Sequence, residues 1–310
     1  MDNTKICILV PYFGKLPNYF QLWLNSCKMN PRITWKLFIN DETAYNFSNN
    51  VEVNYTSLSA IKDRFQLNYD FKISLESPYK LCDYRPAFGD LFRAECNGFD
   101  FWGYCDLDLI FGDIFGVLDT VLDGSYEKVF TRGHLSLIRN NLKNNQLYRS
   151  NSNYYKEVFQ SENFFTFDEC RIRGFNSFFY KNNLTVFDEL LFADVYWGSF
   201  SLYPVQLLQK GIKQNSIFLF KNGKLFRLYF WEDNIISEEV IYVHLQKRIM
   251  SIDNDDNEYF HFLVYANEFK SIKSNLEFSQ LTNLFKTRII YWKYFRVKFK
   301  AIVDLLKTLK

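Results

Sequence analysis

Asp100-Phe101-Trp102-Gly103-Tyr104-Cys105-Asp106-Leu107-Asp108-Leu109-Ile110-Phe111-Gly112-Asp113 is an apolar run interrupted by two carboxylates. Residues 100–105 predict a buried strand. Asp106 and Asp108 follow at its carboxyl end, and residues two apart on a strand face the same way. Two carboxylates at the end of a buried strand are costly unless something positive joins them. Hard oxygen ligands suit Mg²⁺ or Mn²⁺, ions that also take phosphate oxygens. Such an ion acts as a Lewis acid on a diphosphate leaving group. An Asp-X-Asp pattern also arises by chance, and the competing reading is a pair of caps for the next helix.

Upstream, Lys5–Val10 is a short continuous apolar run ending at Pro11, which predicts a buried parallel strand. Residues 18–29 carry Tyr19, Phe20, Leu22, Trp23, Leu24 and Cys27 at helical spacing, and Pro31 ends that helix. Ile33–Ile39 and Val51–Tyr55 predict two more strands. Strand, helix and strand with short links make a βαβ unit, so an α/β fold with a parallel sheet is expected. Ligands in such sheets bind beyond the carboxyl ends of strands, which places Pro11-Tyr12-Phe13-Gly14 and Asn40-Asp41 at the rim of a site.

Between these strands and the carboxylates lies Tyr79-Lys80-Leu81-Cys82-Asp83-Tyr84-Arg85-Pro86. Pro86 suits the first turn of a helix spanning 86–96. Arg85 then stands at a helix entrance, where anions are favoured and a guanidinium can grip a phosphate in two places. The plainer alternative is a surface pair with Asp83. Residues 115–235 mix short helices and strands with no repeat and no linker. The triplet Phe-Asp-Glu occurs at 167–169 and 187–189 in unlike surroundings, a chance match.

Composition excludes several classes. The net charge is +2, so bulk charge does not mark a nucleic-acid binder. The chain has 34 Phe and 21 Tyr, most of which must fill the core. Its six cysteines form no C-x-x-C pair or zinc spacing, which suits a reduced, cytoplasmic protein. The amino-terminal apolar run is too short for a signal peptide or anchor, and no stretch reaches the length of a membrane span. The expected organisation is a catalytic domain over residues 1–250 and a helical extension over 251–310. Residues 284–310 carry eight basic residues against one acid, Asp304, with aromatics interleaved. That pattern fits either a peripheral helix on the anionic inner face of a membrane or a terminal helix with a solvated basic face.

The motif block as a whole, C-D-Y-R-P-A-F-G-D-L-F, then D-F-W-G-Y-C-D-L-D-L-I-F-G-D-I, then G-H-L-S-L-I-R-N and F-D-E, resembles a family of bacterial glycosyltransferases found in capsule, O-antigen and exopolysaccharide gene clusters. The resemblance covers roughly residues 5–250 and not the basic tail. It implies a GT-A fold, Rossmann-like, with a mainly parallel central sheet flanked by helices. It also implies Mn²⁺ or Mg²⁺ at Asp108, with Asp106 on the metal or ribose, and a third ligand at His244. Lys247 or Arg248 would touch the diphosphate, although the Gly and Pro-Trp that accompany that His in the best-known subgroup are absent. Tyr12, Phe13 and Asp41 would meet the base. Gly133 and His134 would face donor sugar and acceptor, and Asp168, with Glu169 as second choice, would be the acceptor-side base. The bland readings are packing for Tyr12, Phe13 and His244, and a helix cap for Asp168.

The expected activity is transfer of a hexose, with galactose in pyranose or furanose form as the working choice, from a UDP-sugar to a glycan or lipid-linked acceptor. Two other classes compete. A metal-dependent nucleotidyl- or phosphotransferase also uses paired carboxylates, but the G-x-x-x-x-G-K-[ST] phosphate loop is absent. A non-catalytic carbohydrate-binding protein would use the same aromatics and acids to hold sugar.

Overall fold

The computed structural model describes residues 4–170, 172–252, 261–272, 281, 284 and 285. Along β1 (Ile6–Tyr12), Ile6, Ile8 and Val10 enter one apolar cluster while Cys7 and Leu9 enter another. Alternation with both faces buried explains why this strand reads as an unbroken apolar run. Strands β2 (Ile33–Ile39) and β3 (Val51–Tyr55) extend the sheet on one side of β1, and β4 (Phe101–Cys105) joins on the other, all in parallel. β1 continues through Pro11 because Pro11 lies beyond the last β1–β4 pair, Leu9 with Tyr104. The helix Phe20–Lys28 lays Phe20, Trp23, Leu24 and Cys27 on the first cluster.

The chain leaves this sheet at Asp106 and resumes as β5 (Leu109–Phe111). Strands β6 (Lys128–Arg132) and β7 (Leu135–Arg139) form a hairpin, with β7 antiparallel to β4. β8 (Val186–Phe187) closes the edge, giving the order β3-β2-β1-β4-β7-β6-β8. Then come β9 (Ala193–Asp194), β10 (Ser216–Lys221), β11 (Lys224–Trp231), β12 (Asn234–Val240), β13 (Tyr242–His244), β14 (Ser251–Ile252), β15 (His261–Tyr265) and β16 (Glu268–Ser271). β9, β13 and β5 make a three-stranded sheet, and β12-β11-β10-β15-β16-β14 make a six-stranded one. The fold is a mixed α/β structure.

Three expectations change. Residue 250 falls inside the six-stranded sheet, because Phe218 of β10 pairs with Val264 of β15. Residues 261–271 are strands where a helical extension is expected: their apolar side chains Phe262, Val264 and Phe269 are buried with β10 in one cluster. Of the basic tail, Leu284 and Phe285 pack near Ile217 and Leu228, and 286–310 lie outside the described residues. The helix over 86–96 is a chain of short turns beginning earlier, at Pro78–Lys80 and Leu81–Tyr84. Pro86 lacks the N–H that a continuing α-helix would use, so Arg85–Ala87 tightens to a 3₁₀ turn before Phe88–Leu91 and Arg93–Cys96. Among the described residues no helix is long and apolar enough to cross a membrane.

One buried ion pair ties this stretch to the rest. Lys80 and Asp83 are 2.9 Å apart, with 2% and 0% of their side chains exposed. Removing one partner strands the other in a dry interior. Asp83→Ala is therefore expected to lower unfolding free energy by about 3–5 kcal/mol. Glu157→Ala, which breaks the exposed pair with Arg173, should cost under about 1 kcal/mol. Urea denaturation of the two variants checks both.

Candidate functional site

The turn after β4 carries Asp106 and Asp108, and strand pairing brings distant residues to it. β5 pairs antiparallel with β13, and β13 runs parallel to β9, setting His244 against Leu109 on one side and Asp194 on the other. His244 Nε2 lies 3.3 Å from Asp108 Oδ1 and 4.0 Å from Asp106 Oδ2, while Nδ1 lies 2.8 Å from Asp194 Oδ1. The Lys247 N–H donates to Asp108 Oδ2 at 2.6 Å, and Gln246 Nε2 donates to Asp194 Oδ1 at 2.5 Å. Burial works against the charged forms of Asp108 and His244. Their mutual hydrogen bond and charges win, so Asp108 stays below the usual carboxylate range and His244 is pushed up to about 10. His134, 4.6 Å away between ring centroids, is pushed down to about 3 by burial and by the His244 charge. Its Nδ1 is 2.9 Å from the Tyr242 hydroxyl.

The other half of the site hangs on Arg85. Its guanidinium pairs with Asp106, reaches Asp168 Oδ2 at 3.1 Å, and donates to Gly133 O at 3.0 Å. The β6–β7 hairpin has a register shift between Val129 and Arg132 with Phe130 at φ 64°, a bulge that aims its tip at these acids. Gly133 N donates to Glu169 Oε1. A Cβ on Gly133 would meet Glu169 Oε1 at 2.8 Å, Asp168 Oδ2 at 2.9 Å and Arg85 Nη1 at 3.1 Å, so any larger residue would push these three side-chain ends out of their present arrangement. Asp168 is 3% exposed. Burial raises its carboxyl, Arg85 opposes, and the Glu169 and Asp106 charges add, leaving it at about 6.

Eleven of the expected residues line one cleft of about 920 Å³: Tyr12, Phe13, Arg85, Asp106, Asp108, Gly133, His134, Asp168, Glu169, His244 and Lys247. Two do not. Asp41 turns back to accept the Thr43 N–H at 2.9 Å, as turn residues do, and it is Asn40 that holds the Gly14 N–H at the cleft's edge. Arg248 turns away and clamps the 196–200 loop, donating to Tyr196 O at 2.5 Å, Ser199 O at 2.7 Å and Asn267 Oδ1 at 2.9 Å. Arg85 is not at a helix entrance, because the helical run begins before it. Nor does it pair with Asp83, which belongs to Lys80. The next helix, Ile114–Leu122, is capped by Asp113, so Asp106 and Asp108 are not its caps. Asp168 is likewise no cap, since Gly174 precedes the helix Phe175–Lys181.

Sequence reasoning missed Asp194 and Gln246. Asp194 sits in a two-residue strand with no periodicity to mark it, and only the β9–β13 pairing puts it on His244. Its role is legible in the geometry: holding Nδ1 leaves Nε2 facing Asp108 and Asp106, the arrangement that orients a metal-ligating imidazole. Asp106, Asp108 and His244 offer ligand atoms within 4.8 Å of one another, and so do His134, Asp194 and His244. Two carboxylates and one imidazole fit Mn²⁺ or Mg²⁺ by donor chemistry.

Residues 8–273 match the family described as "Family of unknown function (DUF6625)", and the chain belongs to that family. No curated protein matches it. Solved structures with some likeness include the apo-form glycosyltransferase GlyE of Streptococcus pneumoniae TIGR4, at 14% identity over 60% of this chain and 45% of that one, TM-score 0.31. The galactosyltransferase LgtC in complex with donor and acceptor sugar analogs shares 12% identity over 51% and 67%, TM-score 0.29. Mouse xyloside xylosyltransferase 1 shares 10% over 79% and 98%, TM-score 0.38. The match thus takes in less than half of the pneumococcal chain, and overlaps this loose carry no activity across.

Two titrations follow from the site. In metal-free protein His244 should stay doubly protonated through pH 8, and Asp194→Ala should lower its pKa, because an acceptor for the imidazolium is gone; ¹⁵N-detected NMR titration reads both. Asp168 has a folded pKa of about 6 against the ordinary 3.8. The folded state therefore holds a proton that the unfolded chain has already released, and the stability this gives is full below pH ~4 and lost as pH rises through ~6. Asp168→Asn cannot lose it, so with chelator present the variant should gain about 3 kcal/mol relative to wild type between pH 4 and 7. Unchanged relative stability would mean that Asp168 is not desolvated.

Proposed function

We propose that the protein is a metal-dependent glycosyltransferase of GT-A type, moving a hexose from a nucleotide sugar, with UDP-galactose as the first donor to try, to a glycan or lipid-linked acceptor in bacterial surface polysaccharide synthesis. The observation that carries this reading is the convergence of Asp106, Asp108 and His244 at one strand end, within a cleft that also holds Arg85, Lys247 and a second, buried acid, Asp168. Asp106, Asp108 and His244 would hold Mn²⁺ or Mg²⁺, which when bound supplies Lewis-acid neutralisation of the departing diphosphate. Asp194 keeps His244 turned toward that position. Lys247 and Arg85 put cations beside it, and the half-buried Tyr12 with Phe13 offers an aromatic wall for the base. Tyr12 is near enough to the carboxylates that its hydroxyl is raised by burial and then by the Asp108 and Asp106 charges.

Asp168 is proposed as the group that takes the acceptor hydroxyl proton, and Glu169 as its alternate. A carboxyl titrating near 6 is matched to that task at neutral pH. The ligands and acids proposed here all fall between Tyr12 and Lys247, and the six-stranded sheet that runs on through residue 271 belongs to the same unit. The basic stretch 284–310 is proposed as a contact for anionic membrane at the cytoplasmic face, where each cation adds about 1 kcal/mol.

Differential thermal denaturation with Mn²⁺ and a panel of UDP-hexoses tests the core of this reading. A ligand near 100 times its Kd stabilises by about 2.7 kcal/mol, so Mn²⁺ and the correct donor together should raise Tm above either alone. Asp108→Asn should remove that metal-dependent increment and metal-dependent UDP release. Persistence of both in the variant would sink the metal assignment, and turnover of a nucleoside triphosphate instead of a UDP-sugar would favour nucleotidyl transfer.

A further inference from the structure

The turn that carries Asp168 is held by more than a loop requires. Besides pairing with Asp83, the buried Lys80 ammonium donates to Val158 O at 2.8 Å and Asn163 O at 2.6 Å. The Asp83 carboxylate accepts the N–H groups of Phe165 at 3.0 Å and Phe167 at 2.9 Å. Between those two N–H groups lies Thr166 at φ 51°, a left-handed backbone that a β-branched residue rarely adopts. Strain of this kind survives only where the surroundings over-determine it, and here one carboxylate grips both flanking amides.

What this clamp presents is a pair of aromatic rings. Tyr79, next to Lys80, and Phe164, next to Asn163, stand with ring centroids 4.6 Å apart at 56°. Both line the cleft, yet they are 53% and 39% exposed. Thr166 and the exposed Glu169 line the same cleft, and Lys247 Nζ stands 4.8 Å from the Tyr79 ring.

We propose that Tyr79 and Phe164 form a shelf on which a saccharide ring of the acceptor stacks, with its hydroxyls met by Glu169 and Thr166. This rests on the sugar-transfer reading and names the acceptor's chemical class at the reacting end. A sugar ring has an apolar C–H face and a polar rim, matching exposed rings in a cleft that also holds carboxylates. Glu169 keeps acceptor capacity beyond the single N–H of Gly133. An acyl chain is the poorer occupant: it gains about 0.8 kcal/mol per buried CH₂ only along continuous apolar surface. Two rings in a cleft lined by several carboxylates do not supply that surface, and desolvating those acids would oppose it.

The test is saturation-transfer NMR on full-length protein with two probes, a panel of methyl hexopyranosides and hexofuranosides, and decyl phosphate. At least one methyl glycoside should receive saturation at its C–H protons. Phe164→Ala and Tyr79→Ala, both at exposed positions, should weaken it about tenfold or more, and Phe164→Trp should restore binding. The Mn²⁺-dependent thermal shift with UDP-hexose should be unchanged in Phe164→Ala, which shows the variant folded and separates the shelf from the donor half. Equal glycoside binding by wild type and both alanine variants overturns the proposal. So does binding of decyl phosphate alone, or no glycoside binding up to about 50 mM. Phe164-dependent glycoside binding without any donor shift would keep the shelf and remove the glycosyltransferase reading.

Discussion

The pairing of β13 between β5 and β9 is the constraint from which the site follows. None of these strands exceeds three residues, yet their registers bring Asp108, His244 and Asp194 within hydrogen-bond reach from three distant parts of the chain. A buried imidazole between two carboxylates is stable only in that company, because each acid offsets the desolvation of the ring and the ring offsets theirs. A divalent cation held by Asp106, Asp108 and His244, as proposed, would have to displace the proton on Nε2, so its binding would weaken as pH falls.

A second network joins Asp168 to the first. Arg85 spans Asp106 and Asp168, so one guanidinium serves both the half proposed to hold metal and the half proposed to take up a proton. Its ring neighbour Tyr104 lies on β4 beneath it, 5.3 Å from the guanidinium carbon. A cation bound at Asp106, as proposed, would compete with Arg85 for that carboxylate, so the two halves share a single side chain.

How much of this was legible in the sequence depended on the range of the signal. β1 to β4 were readable because period and apolarity are local: Ile33–Ile39 and Val51–Tyr55 fall on the expected residues. Asp106 and Asp108 were readable because they follow a strand directly. Asp194 was not, since a two-residue strand has no period and its meaning arises only on pairing with His244. Arg248 was misread because basic neighbours of a candidate ligand look alike in sequence. Only the turn after β13 decides that Lys247 faces the cleft and Arg248 the 196–200 loop. Asp41 was placed correctly at a strand end, but its short side chain closes on Thr43. The run from Pro78 to Cys96 was misjudged because two prolines, not one, punctuate it.

That turn after β13 shows why the carboxylates cannot be understood as ligands alone. Gln246 and Lys247 both have positive φ, 53° and 55°, and two successive non-glycine residues in the left-handed region cost roughly 1–2 kcal/mol each. The compensating contacts are the acids themselves: Asp108 accepts the Lys247 N–H, and Asp194 accepts the Gln246 side chain. Replacing Asp108 with alanine would therefore remove a proposed metal ligand and also release the turn that aims Lys247. Asparagine keeps a side-chain oxygen for that N–H while removing the charge, so it separates the two effects. The same logic holds at Thr166, where Asp83 maintains the strain. Backbone strain thus borders the cleft at Thr166, Gln246 and Lys247, and the acids beside it at 83, 108 and 194 hold the backbone in shape as well as lending their charge.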